Sequence, residues 1–204
     1  MQSSLIIVFN LKKFLPHIAF TLFVTQLLVM LVSWLLSAAF PNSGIRSLLS
    51  GEGLRWFFGH FTLLLATPII VWLLLLAMAY GVLLRCGVLR LDKSYRASRA
   101  RIMTFVLLLV YVGVIMLMVA VPHAVLLSAT GSLWPSPFSQ ALIPFIAFGV
   151  IALGAFYGII AGSFNTLADV YDAVLYGILQ GAPFLLFYVL LTELYQSLLF
   201  ILGI

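Results

Sequence analysis

The sequence predicts an all-α membrane protein that crosses the bilayer about five times. Of its 204 residues, 65% are hydrophobic and only 7% are charged, and the mean hydropathy is +1.26. A soluble domain needs more polar surface than this, whereas lipid tails accept Leu, Phe and Val directly. The apolar runs are continuous rather than alternating, which excludes a membrane β-barrel. We expect a single transmembrane helical domain over residues 1–204.

Five apolar runs have the length of about 20 residues that a helix needs to cross a hydrocarbon core of about 30 Å. They are Leu15–Ala39, Phe61–Leu84, Ile102–Val121, Ala141–Ala161 and Val174–Phe200. The first run follows two lysines and imitates a secretory signal peptide, but it is longer than a cleavable signal core. An uncleaved signal anchor is therefore favoured.

The distribution of lysine and arginine predicts the orientation, because short basic loops are retained on the cytoplasmic side. Lys12 and Lys13 precede the first run. Between the second and third runs, one acid, Asp92, accompanies six basic residues: Arg85, Arg90, Lys93, Arg96, Arg99 and Arg101. Both segments are expected inside, which places the N-terminus inside, the C-terminus outside, and the 40–60 and 122–140 loops outside. Topogenic and lipid-binding roles account for the basic loop, so no nucleic-acid partner is expected.

The stretch SLLSGEGLRWFF, residues 47–58, is predicted to be a short helix lying along the outer membrane surface. Ser50 is a suitable N-cap, and Glu52 lies in the first turn, where the helix dipole favours an acid. Glu52 and Arg55 are spaced to pair on the wet side, and Trp56 is a typical interfacial anchor. The expected role of this stretch is architectural.

Motifs that carry catalysis or bind cofactors are missing from the sequence. There is no HExxH, GxSxG or GxxxxGK[ST] pattern, so we expect no enzyme, no cofactor, no metal and no catalytic residue. His17, His60 and His123 lie near the ends of spans, where an interfacial role is more common than metal binding. Cys86 is the single cysteine, which excludes an intramolecular disulfide.

Glu193 is the one ionisable residue well inside a predicted span. A carboxylate in hydrocarbon costs about 2.5 kcal/mol or more, so it should face protein or water, or take up a proton. One hypothesis is a proton or substrate site. The alternative is a neutral, hydrogen-bonded side chain with a structural role, for which Gln26 of the first span is a candidate partner.

Small residues recur every four positions in the last two spans. They are Gly154, Gly158 and Gly162, followed by Gly177 and Gly181. Such a flat face lets a neighbouring backbone approach closely in lipid. Packing within the chain is the more common use of this pattern, and a subunit interface is the alternative. Pro68, Pro144 and Pro183 are expected to kink the spans that contain them.

Four stretches of the chain, in order, resemble the p-aminobenzoyl-glutamate transporter (AbgT) family. They are FLPHIAFTLFV, SLLSGEGLRWFF followed by a span ending in GVLLRCGVL, SPFSQALIPFIAFGVIALGAFYGIIAGSF, and Asp169–Glu193. Together these stretches cover most of the chain. The resemblance implies a multi-pass protein of the cell inner membrane that belongs to a transport system for small aromatic carboxylates.

Members of that family are much longer, and they carry re-entrant hairpins between and after the matched segments, where substrate and coupling ions are expected. The present sequence is expected to lack both hairpins. The resemblance therefore implies a transporter that works as a homo-oligomer or with a second membrane subunit. Glu193 would then be the proton or substrate site, and Arg85 a carboxylate contact at the cytoplasmic mouth. The alternative is a non-transporting scaffold or regulatory membrane subunit.

Overall fold

A computed structural model of the protein describes residues 2–42, 44–90, 94–120 and 137–203. These residues form six α-helices and no strand. In chain order the helices are α1 (Gln2–Ala39), α2 (Gly51–Leu65), α3 (Pro68–Arg85), α4 (Tyr95–Ala120), α5 (Pro137–Ala161) and α6 (Leu167–Leu202). All except α2 are long and apolar enough to cross a membrane. The predicted fold class and the number of spans are confirmed. Residues 121–136, which comprise the last residue of the predicted third span and most of the predicted 122–140 loop, lie outside the described residues.

The helices extend beyond the predicted spans because apolarity marks the part in hydrocarbon, whereas backbone hydrogen bonding continues into the polar interface. α4 starts at Tyr95, seven residues before the predicted span at Ile102, and α6 starts at Leu167 rather than Val174. The backbone of α1 likewise reaches upstream to Gln2. The first, third, fourth and fifth predicted spans are therefore the apolar parts of longer helices.

The second predicted span requires a correction, because the chain breaks within it. Residues 61–65 complete α2, and a new helix starts at Pro68. Proline has no backbone N–H and disfavours helical geometry in the preceding residue, Thr67. The Ala66 N–H bonds the Leu63 carbonyl in a tight turn, and the Thr67 hydroxyl pairs with that of Tyr188. Pro68 therefore separates two helices instead of kinking one.

The chain divides into two compact units, and α3 and α6 contribute to both. Unit 1 comprises Met1–Ile70 and Ala182–Ile204, and unit 2 comprises Val71–Gly181. The core of unit 1 contains Leu48, Phe200 and Ile201. The core of unit 2 gathers Val82, Cys86, Ala100, Tyr157, Phe164 and Ala173. Both cores are small, as expected where lipid accepts the remaining apolar side chains.

Helices α3 and α6 meet in unit 2 through small residues. A Cβ atom on Gly177 would collide with the Ala77 carbonyl oxygen, and one on Gly81 would collide with the Ala173 carbonyl oxygen. One on Gly181 would lie 2.5 Å from the Ala77 Cβ. Backbone therefore packs directly against backbone, the arrangement that small residues four apart permit in membranes. Gly81 belongs to this contact although the sequence pattern did not single it out.

The three glycines predicted to form one face, Gly154, Gly158 and Gly162, have different roles from one another. A Cβ on Gly154 would lie 2.9 Å from Val82 Cγ1, so this residue packs against α3. Gly158 accommodates the ring of Phe164, which follows the helix. Gly162 lies just past the end of α5 with φ +84°, and its N–H and that of Ser163 both bond the Gly158 carbonyl. Gly162 is thus required by the turn that ends the helix, which corrects its placement on a packing face.

Candidate functional site

Residues 44–50 hold the start of α2 in place in unit 1. The Leu48 N–H donates to Ser33 Oγ at 3.1 Å, and that hydroxyl donates to the Met30 carbonyl. The Arg46 N–H donates to the Ile201 carbonyl at 3.1 Å, near the end of α6. Leu48 is fully buried. The backbone of Arg46 is therefore fixed to α6 while its side chain remains exposed.

Helix α2 begins at Gly51 because Ser50 caps it. The Ser50 side chain accepts a hydrogen bond from the Gly53 N–H at 3.0 Å, and Glu52 occupies the first turn as predicted. Gly53 lies directly on the backbone of Leu48, where a Cβ would have no room. This close approach presses the first turns of α2 against the preceding segment and sets the direction in which Trp56 points.

An aromatic stack joins α2 to α6 in unit 1. The rings of Trp56 and Phe200 lie 4.4 Å apart between centroids with an interplanar angle of 24°, and the ring of His60 stacks on Trp56 at 6.0 Å. The guanidinium of Arg46 lies 5.8 Å from the centroid of Phe200. Trp56 is thus half-buried in a stack, where the sequence predicted an interfacial anchor.

This stack lines a pocket of about 770 Å³. We call it the arginine–aromatic pocket and define it by Arg46, Arg55, Trp56, His60 and Phe200. Gln196 of α6 and Glu52 also line it. The pocket thus combines two guanidinium groups and one carboxylate with a flat aromatic surface. Planar guanidinium groups bind carboxylates or phosphates in a bidentate manner, and the aromatic rings provide a stacking surface.

The expected Glu52–Arg55 pair does not form. Arg55 Nε donates to the Gly51 carbonyl at 3.3 Å instead, and no ion pair joins Glu52 and Arg55 within the described part of the chain. Sequence reasoning treated these charges as architectural and did not connect them with Phe200. The sequence did contain one indication of a binding site, since two arginines and a tryptophan occur in one short segment. Anchoring at the membrane surface explained the same residues equally well.

Glu193 lies on α6 in unit 1 and is 5% exposed. Neither carboxylate oxygen has a hydrogen-bond partner among the described residues. Its suggested partner, Gln26, instead donates from Nε2 to Ser197 Oγ at 2.7 Å. Ser197 lies one turn beyond Glu193, so the two residues share a face of α6. The structure therefore places Glu193 near a buried polar contact without a hydrogen bond of its own.

Arg85, the other predicted site residue, ends α3 in unit 2. Its guanidinium lies 4.5 Å from the ring centroid of Tyr176. A pocket of about 260 Å³ is lined by Arg85 together with Asp169 and Asp172. Glu193 belongs to unit 1, whereas Arg85 belongs to unit 2.

The described residues contain no group of three or more His, Cys, Asp or Glu side chains placed to hold a metal ion. Cys86 is fully buried in the core of unit 2. Burial raises the pKa of its thiol, which lowers the fraction of reactive thiolate near neutral pH. The burial and the raised pKa both give no indication that Cys86 acts as a nucleophile.

Five helices long and apolar enough to cross a membrane define the class: a multi-pass α-helical membrane protein. Comparison with protein-family models, with curated proteins and with solved structures finds no match to this chain.

Proposed function

We propose that this protein binds a small aromatic carboxylate in the arginine–aromatic pocket and takes part in its transport across the cell inner membrane. The observation that carries the proposal is the position of the Arg46 guanidinium beside the Trp56–Phe200 stack. A ligand with an aromatic ring and a carboxylate finds a stacking surface and a cationic partner at one place. The resemblance to p-aminobenzoyl-glutamate transporters supports the same class of ligand.

The charges of the pocket favour an anion. Arg46 and Arg55 supply two positive charges against the single negative charge of Glu52. Neither guanidinium is neutralised by an ion pair within the described residues. Arg55 donates only its Nε–H, to the Gly51 carbonyl, so within the described residues a carboxylate that binds here does not have to displace an ion-pair partner. The orientation predicted from the basic loops places this pocket at the outer surface.

Glu193 is the candidate for coupling transport to protons. It is buried without a hydrogen bond, and an isolated carboxylate in hydrocarbon is stabilised by taking up a proton or a cation. Gln196, on the next turn of α6, lines the arginine–aromatic pocket. Ligand binding at the pocket and proton uptake at Glu193 would thus act on the same helix.

A homo-oligomer or a second membrane subunit would complete the transport path. The most apolar 18-residue stretch of α4 has no buried residues. Most of the surface of α4 is therefore open to lipid or to another chain. The transporters that the sequence resembles carry re-entrant hairpins for substrate, and we expect this sequence to lack them. Another copy of the chain, or a different membrane chain, would supply the missing part of the path.

The second candidate function is a scaffold or regulatory membrane subunit that binds the ligand without moving it. Glu193 is not among the residues that line the arginine–aromatic pocket, and this separation favours the second candidate. Binding and transport therefore have to be measured independently.

Binding is tested with p-aminobenzoyl-glutamate and the protein in nanodiscs. We expect saturable binding that Arg46→Gln weakens about tenfold, because one charge-assisted bidentate contact is lost. The Arg46 backbone bond to Ile201 is retained in this variant. Arg99→Gln is the matched control, since Arg99 lies over Tyr95 in unit 2. Absence of saturable binding, or equal affinities of both variants, would contradict the proposal.

Transport is tested in liposomes with an imposed proton gradient. We expect gradient-dependent uptake of p-aminobenzoyl-glutamate that Glu193→Gln abolishes while ligand binding is retained. Uptake that is unchanged in Glu193→Gln removes the coupling role of this residue. Binding without any uptake above empty liposomes would favour the scaffold or regulatory subunit. Copurification of a second membrane chain would then identify the protein with which this subunit assembles.

A further inference from the structure

The second polar pocket, in unit 2, contains charges of both signs. It has a volume of about 260 Å³, and we call it the mixed-charge pocket. Its polar lining consists of Arg85, Arg90, Ser163, Asp169 and Asp172. Two guanidinium groups and two carboxylates therefore face one cavity, beside the loop that carries most of the basic residues of the sequence.

Two of the four charges in the mixed-charge pocket, Arg85 and Asp169, are held in place by contacts outside the set. The Arg85 guanidinium lies over the Tyr176 ring. One oxygen of Asp169, Oδ2, accepts hydrogen bonds from the N–H groups of Asn165 and Thr166 at 2.7 and 2.9 Å. Within the described residues, none of the four charged side chains forms an ion pair at 4.0 Å or less. Both signs of charge thus remain available to a ligand.

A ligand with only one sign of charge fits this pocket poorly. A free carboxylate or phosphate would face two aspartates, and a metal ion or an amine would face two arginines. A zwitterion places its anion near Arg85 and Arg90 and its cation near Asp172, so that each charge meets its opposite. The Asp169 oxygen that is not used for capping is a second acceptor for the cation.

Apolar surface continues from the pocket along α6. Leu175 and Leu179 follow Asp172 at intervals of three and four residues, which places them on adjoining turns of the same helical face. Leu179 is 72% exposed, and Leu84 of the pocket lining is also exposed. A ligand with a charged head and apolar chains would therefore bury its chains against this face.

We propose that the mixed-charge pocket binds the headgroup of a phospholipid that carries a phosphate and a primary ammonium, as phosphatidylethanolamine does. The phosphate contacts Arg85 and Arg90, and the ammonium donates hydrogen bonds to Asp172. The acyl chains lie along Leu175 and Leu179. A primary ammonium is favoured over a quaternary one because only the former can donate hydrogen bonds to carboxylates.

Native mass spectrometry of protein released from nanodiscs tests this proposal. The nanodiscs contain equal amounts of phosphatidylethanolamine, phosphatidylcholine and phosphatidylglycerol with identical acyl chains. We expect retained phosphatidylethanolamine to exceed each competitor about fivefold, the ratio that one hydrogen-bonded ion pair provides. Asp172→Asn should remove the preference over both competitors, because the contact with the primary ammonium is lost, and Arg90→Gln should lower retention of all three lipids, because each carries a phosphate.

Arg99→Gln is the matched control, because it removes one positive charge near the same membrane surface without touching the pocket. It should retain the wild-type lipid preference. Circular dichroism and thermal melting establish that each variant is folded. Asp169 is left unchanged because it caps α6.

Three results would overturn the proposal. Equal retention of the three lipids by the wild-type protein would show that the pocket selects no headgroup. A lipid preference that is the same in Asp172→Asn and Arg99→Gln would place selection elsewhere. Soluble phosphoethanolamine that displaces the lipid at equal concentration would assign the pocket to a soluble ligand. None of these readouts depends on binding of p-aminobenzoyl-glutamate.

Discussion

Gln26 of α1 and Ser197 of α6 meet in the buried part of unit 1. Gln26 is 9% exposed and Ser197 is fully buried, and the amide donates to the hydroxyl at 2.7 Å. The side-chain amide oxygen of Gln26, Oε1, has no hydrogen-bond partner within the described residues. In an apolar environment a lone amide donor is costly, so this hydrogen bond should be coupled energetically to the packing of the two helices.

We predict that Gln26→Leu and Ser197→Ala are non-additive in a double-mutant cycle. Ser197→Ala leaves the Gln26 N–H unpaired and should cost about 1–2 kcal/mol of unfolding free energy. The coupling energy between the two sites should be about 0.6–1.7 kcal/mol, the range found for hydrogen bonds between membrane helices. Reversible unfolding in mixed detergent measures both quantities.

The control for this cycle is Thr25→Val. The Thr25 hydroxyl donates to the Thr21 carbonyl within α1 and is exposed, so its loss should change the unfolding free energy by less than about 0.5 kcal/mol. Strictly additive costs for Gln26→Leu and Ser197→Ala would show that their hydrogen bond contributes nothing to the stability of unit 1.

Individual residues of the site were only partly predictable. Glu193 stands out in the sequence because a carboxylate in an apolar run is rare, and it is indeed buried. Its lack of a hydrogen bond was not predictable, since Gln26 could equally have reached it. The contact between Arg46 and Phe200 joins residues 154 positions apart in the sequence, and no local pattern encodes such a contact.

At the scale of the element, the most constrained contact is the crossing of α3 and α6 in unit 2. Gly81 and Gly177 face each other so closely that neither helix has room for a Cβ. A side chain at either position would meet backbone, which cannot change rotamer to make room. Relief therefore requires the two helices to separate, with loss of the surrounding dispersion contacts.

We predict that Gly177→Ala destabilises unit 2 by about 2–3 kcal/mol, the upper range for inserting a methyl group into a tightly packed contact. Gly113→Ala is the matched control, because Gly113 lies within α4 and has nothing within 4 Å of its Cβ position. It should be neutral or slightly stabilising, since alanine favours a helix more than glycine does. Thermal melting in detergent measures the difference, and equal melting temperatures would refute this account of the crossing.

Most helices were predictable at this scale because the bilayer imposes a length on an apolar run. The break between α2 and α3 was not. A proline in a membrane helix often causes only a kink, and here the break depends on partners for the freed groups. The Thr67 hydroxyl finds the Tyr188 hydroxyl, which is 121 residues distant in sequence. Sequence locates the proline but not this distant partner.

At the scale of the whole molecule, the uneven distribution of charge is the main determinant of orientation. Of the ten Lys and Arg residues, six lie between positions 85 and 101. Basic residues close to spans are retained on the cytoplasmic side. The same rule predicts that the segment with Arg46 and Arg55 lies outside, because one helix long and apolar enough to span, α3, follows it before the basic loop.

We predict that Glu52→Cys reacts with a membrane-impermeant maleimide in intact cells, whereas Arg99→Cys reacts only after permeabilisation. Both positions are exposed and polar, so they differ in the side of the membrane and not in burial. Native Cys86 provides the background control. It is buried, and burial raises the pKa of its thiol, so the wild-type protein should remain unlabelled in either condition until it is denatured. Labelling of Arg99→Cys in intact cells would reverse the orientation and place the arginine–aromatic pocket on the cytoplasmic side.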